Sequence, residues 1–194
     1  WAPGGPPHDL LAPPGVVPKK AEQVGRQALA DAWDQLGSAG QAAIEGWSGT
    51  GFLEGPQGRA LLKEVGKFLN KGGDPAVAGE LLGQLQAPDA QITQAFEQSC
   101  GAATLQKALA TQDPARYFKL ASDLVTTGSC TVATRQVGLQ QVSVRMELSA
   151  ANRAAVDAPG LSASERINAA FQAAAMDLAN GGAQYDAASD QSLG

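Results

Sequence analysis

Two Asp-Pro pairs, Asp74-Pro75 and Asp113-Pro114, constrain the fold most, because each predicts where a helix begins. An Asp side chain caps the free amides of a first helical turn, and Pro is favoured at the first helical position. Ser162 and Glu165 form a capping box, which predicts a third helix start. Glycines follow the predicted helices at Gly72, Gly128 and Gly181. These starts and stops predict a mostly helical chain.

The spacing of apolar residues fills in the remaining elements. Helices are predicted over 19–46, 56–70, 75–86, 100–110, 114–127, 150–156 and 163–180. The first of them places four residues on one buried face: Val24, Leu29, Trp33 and Leu36. Residues 130–148 instead alternate apolar and polar side chains around Gly138, which predicts a β-hairpin. The predicted fold class is therefore α+β, mostly helical, with a small antiparallel hairpin or sheet.

Changes in composition predict three parts of the chain. Residues 1–18 are rich in proline and predict an extended arm, in which His8 is a solvated histidine. Residues 19–92 predict a helical subdomain. Residues 93–194 predict a domain that holds a cysteine motif, the hairpin and the C-terminal helix. No internal repeat is evident from the sequence.

Charge and residue type exclude several function classes. The net charge is −5, and the 14 Lys and Arg residues are scattered, so we expect no nucleic-acid partner. No apolar run is long enough to predict a membrane span. One His and two widely separated Cys residues predict no metal site, and no phosphate-binding loop or cofactor is expected. Asp113, Asp157 and Glu165 are better explained as caps and solvated charges than as an acid/base pair.

The stretch 94–105, QAFEQSCGAATL, carries the residues with the clearest chemical potential. Cys100 lies at the predicted start of a helix, where partial positive charge and free amides stabilise a thiolate. Gln94 precedes it and could offer its carboxamide to a developing oxyanion, beside the backbone amide of Cys100. Gln98 is a second possible donor. The sequence thus suggests Cys100 as a nucleophile and Gln94 as an oxyanion donor.

These residues resemble papain-like cysteine peptidases, and most closely the peptidase domain of bacteriocin exporters that cleaves leaders after a double glycine. The resemblance rests on Gln94 and on the run Cys-Gly-Ala-Ala-Thr-Leu that Cys100 begins. It implies a papain-like central helix packed on a small sheet, and a peptide or protein substrate. It also implies a histidine after the cysteine, and this chain has none there.

Three interpretations of this gap stay open. In the first, the chain is one piece of a processed or split peptidase, with the histidine on a companion polypeptide. In the second, it is a pseudoenzyme that keeps the fold as a binding module. Alternatively, Cys100 and Cys130 form a disulfide in a secreted helical interaction or structural module. A remote fourth route brings His8 from the arm to Cys100.

The chain begins at Trp1. We interpret this as a trimmed start, from an exported precursor or a larger protein, although a tag would give the same start. Together with the possible disulfide, it predicts a secreted or cell-envelope location.

Overall fold

A computed structural model describes residues 5–11, 19–137 and 140–180. The helices of these residues are α1 (His8–Leu11), α2 (Lys20–Asp31), α3 (Gly37–Trp47), α4 (Pro56–Asn70), α5 (Pro75–Gln86), α6 (Pro88–Gln91), α7 (Cys100–Gln112), α8 (Pro114–Thr127), α9 (Ala150–Val156) and α10 (Ala163–Ala179). The strands are β1 (Ser129–Val137) and β2 (Gln140–Glu147), which pair antiparallel in a two-stranded sheet. The predicted fold class, α+β and mostly helical, is confirmed, while its papain-like detail stays a prediction.

The predicted caps form as expected. Asp74 accepts a hydrogen bond from the backbone N–H of Ala76 at 2.9 Å, and Pro75 opens α5. The Ser162 hydroxyl accepts from the backbone N–H of Glu165, whose carboxylate accepts from the backbone N–H of Ser162. Each cap involves residues two or three apart, which is why sequence alone located these helix starts.

The chain divides into two compact units. Unit 1 comprises Trp1–Gln91 and Leu109–Lys119, and unit 2 comprises Ile92–Ala108 and Leu120–Gly194. The end of α7 and the start of α8, residues 109–119, therefore belong to unit 1. The sequence placed these residues in the cysteine-motif domain. Each unit has its own buried apolar core.

Unit 1 is built from two helix pairs, α2 on α4 and α3 on α5. Each pair meets at glycines, Gly25 with Gly66 and Gly40 with Gly79. The sequence around them recurs: Val-Gly-basic at Gly25 and Gly66, and Ala-Gly-polar at Gly40 and Gly79. The two glycines of each pair thus lie in similar tripeptides, a similarity that becomes evident only from the structure.

Two sequence predictions about unit 1 are wrong. The segment 19–46 is not one helix: α2 ends at Asp31, a 3₁₀ turn spans Trp33–Gln35, and Gly37 begins α3 with φ +68°. Val24 is 47% exposed, although Leu29, Trp33 and Leu36 are buried as predicted.

The proline-rich arm is not wholly extended. His8–Leu11 forms the short helix α1, and the side chain of Leu10 is buried. The carbonyl oxygen of Leu10 accepts a hydrogen bond from the guanidinium of Arg26 at 3.1 Å, and Arg26 is itself buried. Arg26 also contacts the Leu53 carbonyl and the Glu54 carboxylate, at 3.2 and 3.1 Å. One buried cation therefore ties this part of the arm to α2.

The hairpin keeps an apolar face through a shift of register. Cys130 pairs with Met146 and Ala133 with Val144, and the register shifts between Thr131 and Ala133. One extra residue in β1 at that point keeps both pairs on the same face. Cys130 and Met146 are buried at the base of the hairpin, whereas Val144 is 41% exposed. The predicted hairpin is confirmed, although Gly138 lies outside the described residues.

Candidate functional site

Cys100 occupies the position that the motif predicts. It is the first residue of α7, its side chain is exposed, and its thiol is free. Cys130 lies buried in β1, and the two cysteines form no disulfide in this structure. A Cβ built on the next residue, Gly101, would have nothing within 4 Å. The surface beside the thiol is therefore open.

Gln94 lies in the loop before α7, and its carboxamide points into its own turn. The side-chain amide donates to the carbonyl oxygen of Phe96 at 2.6 Å and to that of Glu97 at 2.5 Å. No hydrogen bond joins Gln94 to Cys100 in the structure. An oxyanion donor must lie about 2.7–3.1 Å from the reacting oxygen. To serve Cys100, this amide would have to leave both bonds.

No histidine follows Cys100 in the sequence. The one histidine of the chain, His8, begins α1 in unit 1, while Cys100 belongs to unit 2. Gln98, the second possible donor, is exposed in the same turn as Gln94. Within the described ranges, no group of three or more His, Cys, Asp or Glu residues could hold a metal ion.

The acidic residues serve local structure, as the sequence indicates. Asp113 accepts from the backbone N–H of Arg116 at 3.1 Å in the first turn of α8. Asp157 pairs with Arg153 at 2.6 Å and with Arg166 at 3.4 Å. Hydrogen bonds from the hydroxyl and then the backbone of Ser162 lower the pKa of Glu165, which is solvent-exposed. None of these contacts resembles an acid/base pair poised over a substrate.

The loop that holds Gln94 is fixed instead by a buried amide on α10. The carbonyl of the Gln172 side chain accepts from the backbone N–H of Ala95 at 2.8 Å and lies 2.7 Å from the Ser99 hydroxyl. Its amide donates to the backbone carbonyl of Thr93 at 2.8 Å and to the Gln106 side chain at 3.0 Å. All the hydrogen-bonding capacity of Gln172 is used, as burial requires.

Two more amides extend this network. Gln106 on α7 donates to Asn168 on α10 at 2.9 Å, and Asn168 reaches the Thr93 hydroxyl at 3.4 Å. Gln106, Asn168 and Gln172 are each no more than 2% exposed. We call Ser99, Gln106, Asn168 and Gln172 the amide network. It joins α7, α10 and the loop 92–99 within unit 2.

A surface cavity of about 310 Å³ lies beside this loop. It is lined by Thr93, Gln94, Ala95, Phe96, Ala155, Leu161, Glu165, Asn168 and Ala169. Cys100 is not among these residues. Gln94 therefore borders the cavity, whereas Cys100 is an exposed residue at the start of α7.

Sequence reasoning missed the amide network. The available signal was the pair Asn168 and Gln172, four residues apart and so on one face of α10. Every residue from 167 to 175 is buried, so both amides had to find partners inside unit 2. Their partner residues, such as Thr93, are far away in the sequence.

No helix in the described part of the chain is long and apolar enough to cross a membrane. A scan against protein-family models found no match, and searches of curated proteins and of solved structures found no significant match.

Proposed function

We propose that the chain acts by binding an extended peptide segment of another protein, without catalysis, along residues 93–96. The observation that carries this proposal is the pairing of Gln172 with Thr93 and Ala95. The buried side chain of Gln172 bonds to the C=O of Thr93 and to the N–H of Ala95, two residues further along the chain. This is how the edge of a neighbouring β-strand would pair with the segment.

The alternation of an extended chain supports an open edge on the other side. If Thr93 and Ala95 turn their bonding groups towards Gln172, the N–H and C=O of Gln94 point the opposite way. No described residue bonds to that N–H or C=O. A peptide that extends a sheet binds to an unpaired backbone edge of this kind. Here the hydrogen bonds to Gln172 on the opposite side would hold that edge rigid.

The cavity walls indicate which peptide would fit. Phe96, Leu161 and Ala169 offer apolar contact, and Leu161 is 38% exposed. Glu165 lines the same cavity, and hydrogen bonds from Ser162 hold the pKa of its carboxyl group below the ordinary value. A segment with an apolar side chain next to a basic one would match these walls.

The test separates backbone from side chain at Gln94. The probe is a short labelled peptide that alternates Val and Thr around one Lys, and binding is followed by fluorescence anisotropy. Gln94→Pro removes the backbone N–H, whereas Gln94→Ala keeps it. We expect Gln94→Pro to weaken binding at least about tenfold. Gln94→Ala should change the affinity by less, because the side-chain hydrogen bonds that it removes are solvent-exposed. Equal losses in both variants, or no binding to the parent protein, would overturn the proposal.

A cysteine-peptidase-like domain is the second candidate, one fragment of a processed or split peptidase completed by a companion polypeptide that carries the histidine. The exposed, free thiol of Cys100 at the start of a 13-residue helix favours it. In that case the substrate is a peptide or protein, and a secreted or cell-envelope location stays a prediction. The chain would then need Gln94 to turn its amide towards the thiol.

This candidate makes the opposite prediction at Gln94. With the companion present, Gln94→Ala should lower kcat about 10²–10³-fold, and Cys100→Ala should abolish turnover. Rapid alkylation of Cys100 by iodoacetamide near neutral pH should accompany the activity. A thiol that reacts no faster than a free cysteine in the assembled protein would exclude this candidate.

A further inference from the structure

We infer that a groove between α2 and α4 in unit 1 binds an acidic amphipathic helix of a partner protein. This surface is separate from the peptide site proposed in unit 2, so the two proposals stand or fall independently. The groove has a volume of about 530 Å³. We call it the lysine groove, and its lining residues are Lys20, Ala21, Val24, Lys63, Gly66, Lys67, Asn70 and Lys71.

Four of its lining residues are lysines, in a chain whose net charge is −5. Lys63, Lys67 and Lys71 follow one another at four-residue spacing along one side, so the basic residues are less scattered than the sequence suggested. Lys20 stands across from them on α2. All four side chains are exposed.

Among the described residues, a carboxylate pairs with only one of these four lysines. Lys67 pairs with Glu64 at 2.7 Å. For Lys20, Lys63 and Lys71, no carboxylate of residues 5–11, 19–137 or 140–180 lies within ion-pair distance. The groove therefore presents a positive rim that the described part of the chain does not neutralise.

Helix stability accounts for only part of this arrangement. Lys67 and Lys71 lie at the C-terminal end of α4, where positive charge is favourable against the helix dipole. Lys20 is the first residue of α2, where the same dipole disfavours positive charge. A shared role in the groove explains why cations line both sides.

The floor of the groove is apolar. Val24 is 47% exposed there, although its spacing with Leu29 predicts burial. Ala21 lies one turn before it, and the aliphatic stems of the lysines can cover further apolar surface. The helices approach closely because Gly25 meets Gly66, which leaves a shallow trough above the contact. An apolar floor within a positive rim fits an apolar anchor flanked by carboxylates.

The spacing of the lysines indicates a helical partner. Residues 63 to 71 rise about 12 Å along α4, a little over two turns. Carboxylates four residues apart on a second helix repeat at the same interval and could meet each lysine in turn. A bilayer surface would need a protruding apolar face rather than a trough. None of the described residues that line the groove is aromatic, so nucleic-acid bases would find no side chain there on which to stack.

The test uses a labelled helical peptide with Glu at every fourth position and Leu on the adjoining face, together with its Glu→Gln analogue. Binding to the full chain is measured by fluorescence anisotropy. The double variant Lys63→Glu/Lys67→Glu should weaken binding of the acidic peptide at least about tenfold, because two attractions become repulsions. The matched control, Lys107→Glu/Lys119→Glu, has the same net charge and should bind within about threefold of the parent.

Val24→Ser tests the floor and should also weaken binding while leaving the melting temperature unchanged, since this side chain is half exposed. Several results would overturn the proposal: equal affinity for the Gln analogue, equal losses in both double variants, or tighter binding to anionic phospholipid vesicles or single-stranded DNA than to the peptide. Circular dichroism checks that the double variants fold. If the control is unfolded, the single variants Lys63→Glu and Lys119→Glu are compared in place of the double variants, with the same criteria.

Discussion

The two units bury small-residue helices by different chemistry. In unit 1, helices meet through glycines that bring backbone against backbone, as at Gly40 with Gly79. In unit 2, α7 and α10 meet through side-chain amides that satisfy one another, as Gln106 and Asn168 do. The first contact depends on the absence of a side chain, and the second depends on the presence of a particular one.

This difference predicts what each unit tolerates. A glycine contact fails when any atom is added, whatever its polarity, because the opposing backbone cannot yield. A contact between amides is weakened by a change of side-chain shape. It is weakened more by the loss of a hydrogen bond, because the groups that made the bond stay buried without a partner. Unit 1 should therefore be sensitive to volume, and unit 2 to hydrogen-bonding capacity.

Gly79→Ala should give the largest effect. A Cβ on Gly79 would overlap the carbonyl oxygen of Leu36, so α3 and α5 must separate. We expect a loss of at least about 3 kcal/mol in the free energy of unfolding, towards the upper end for overpacking. Urea denaturation followed by circular dichroism measures it. Gly101→Ala is the control, because a Cβ there meets nothing within 4 Å and alanine favours the helix. Comparable losses in both variants would refute the volume argument.

Gln172→Leu should give the next largest effect. The substitution conserves approximate size but removes the partners of Thr93, Ala95 and Gln106 at once. We expect a loss of about 2–3 kcal/mol, less than the sum of separate bonds because the loop can reach water. Hydrogen exchange at the Ala95 amide should accelerate at the same time.

Gln23→Leu is the matched control for this change, since Gln23 is exposed on α2. It should alter stability by about 0.5 kcal/mol or less. If Gln172→Leu were equally mild, the amide network would not hold the loop, and the rigid edge on which the proposed peptide site depends would be lost as well.

Local interactions explain how much of this fold the sequence predicts. The starts of α5 and α10 follow from Asp74 and Ser162, whose capping partners lie within three residues. The hairpin follows from alternation within one stretch of chain. In these cases the stabilising contact and the pattern that reveals it share the same few residues.

The parts that sequence did not predict depend on distant residues. Nothing near Val24 shows that it borders a groove, because that surface exists only once α4 packs against α2. Gln94 follows the spacing of an oxyanion donor, yet the turn it enters directs its amide to Phe96 and Glu97. Spacing can place a residue near a position in the fold, but competing backbone acceptors decide where its side chain points.

The smallest predicted effect concerns the charge of Glu165 at the start of α10. There unit 2 is stabilised by an exposed, ionised side chain and not by a buried amide. Hydrogen bonds from Ser162 lower the pKa of Glu165 below its ordinary value of 4.5. A folded-state pKa below the unfolded value gives stability that is present above pH 4.5 and is lost as pH falls through the folded pKa. Ser162→Ala should therefore lower the melting temperature by a few degrees at pH 7, with the difference shrinking as the carboxylate protonates. Glu165→Gln keeps a capping side chain but cannot titrate, so its melting temperature should vary less between pH 7 and pH 3 than that of the parent. A Ser162→Ala deficit that stayed constant over this range would mean that the hydroxyl acts on the backbone of α10 alone, and that the carboxylate adds nothing to the cap.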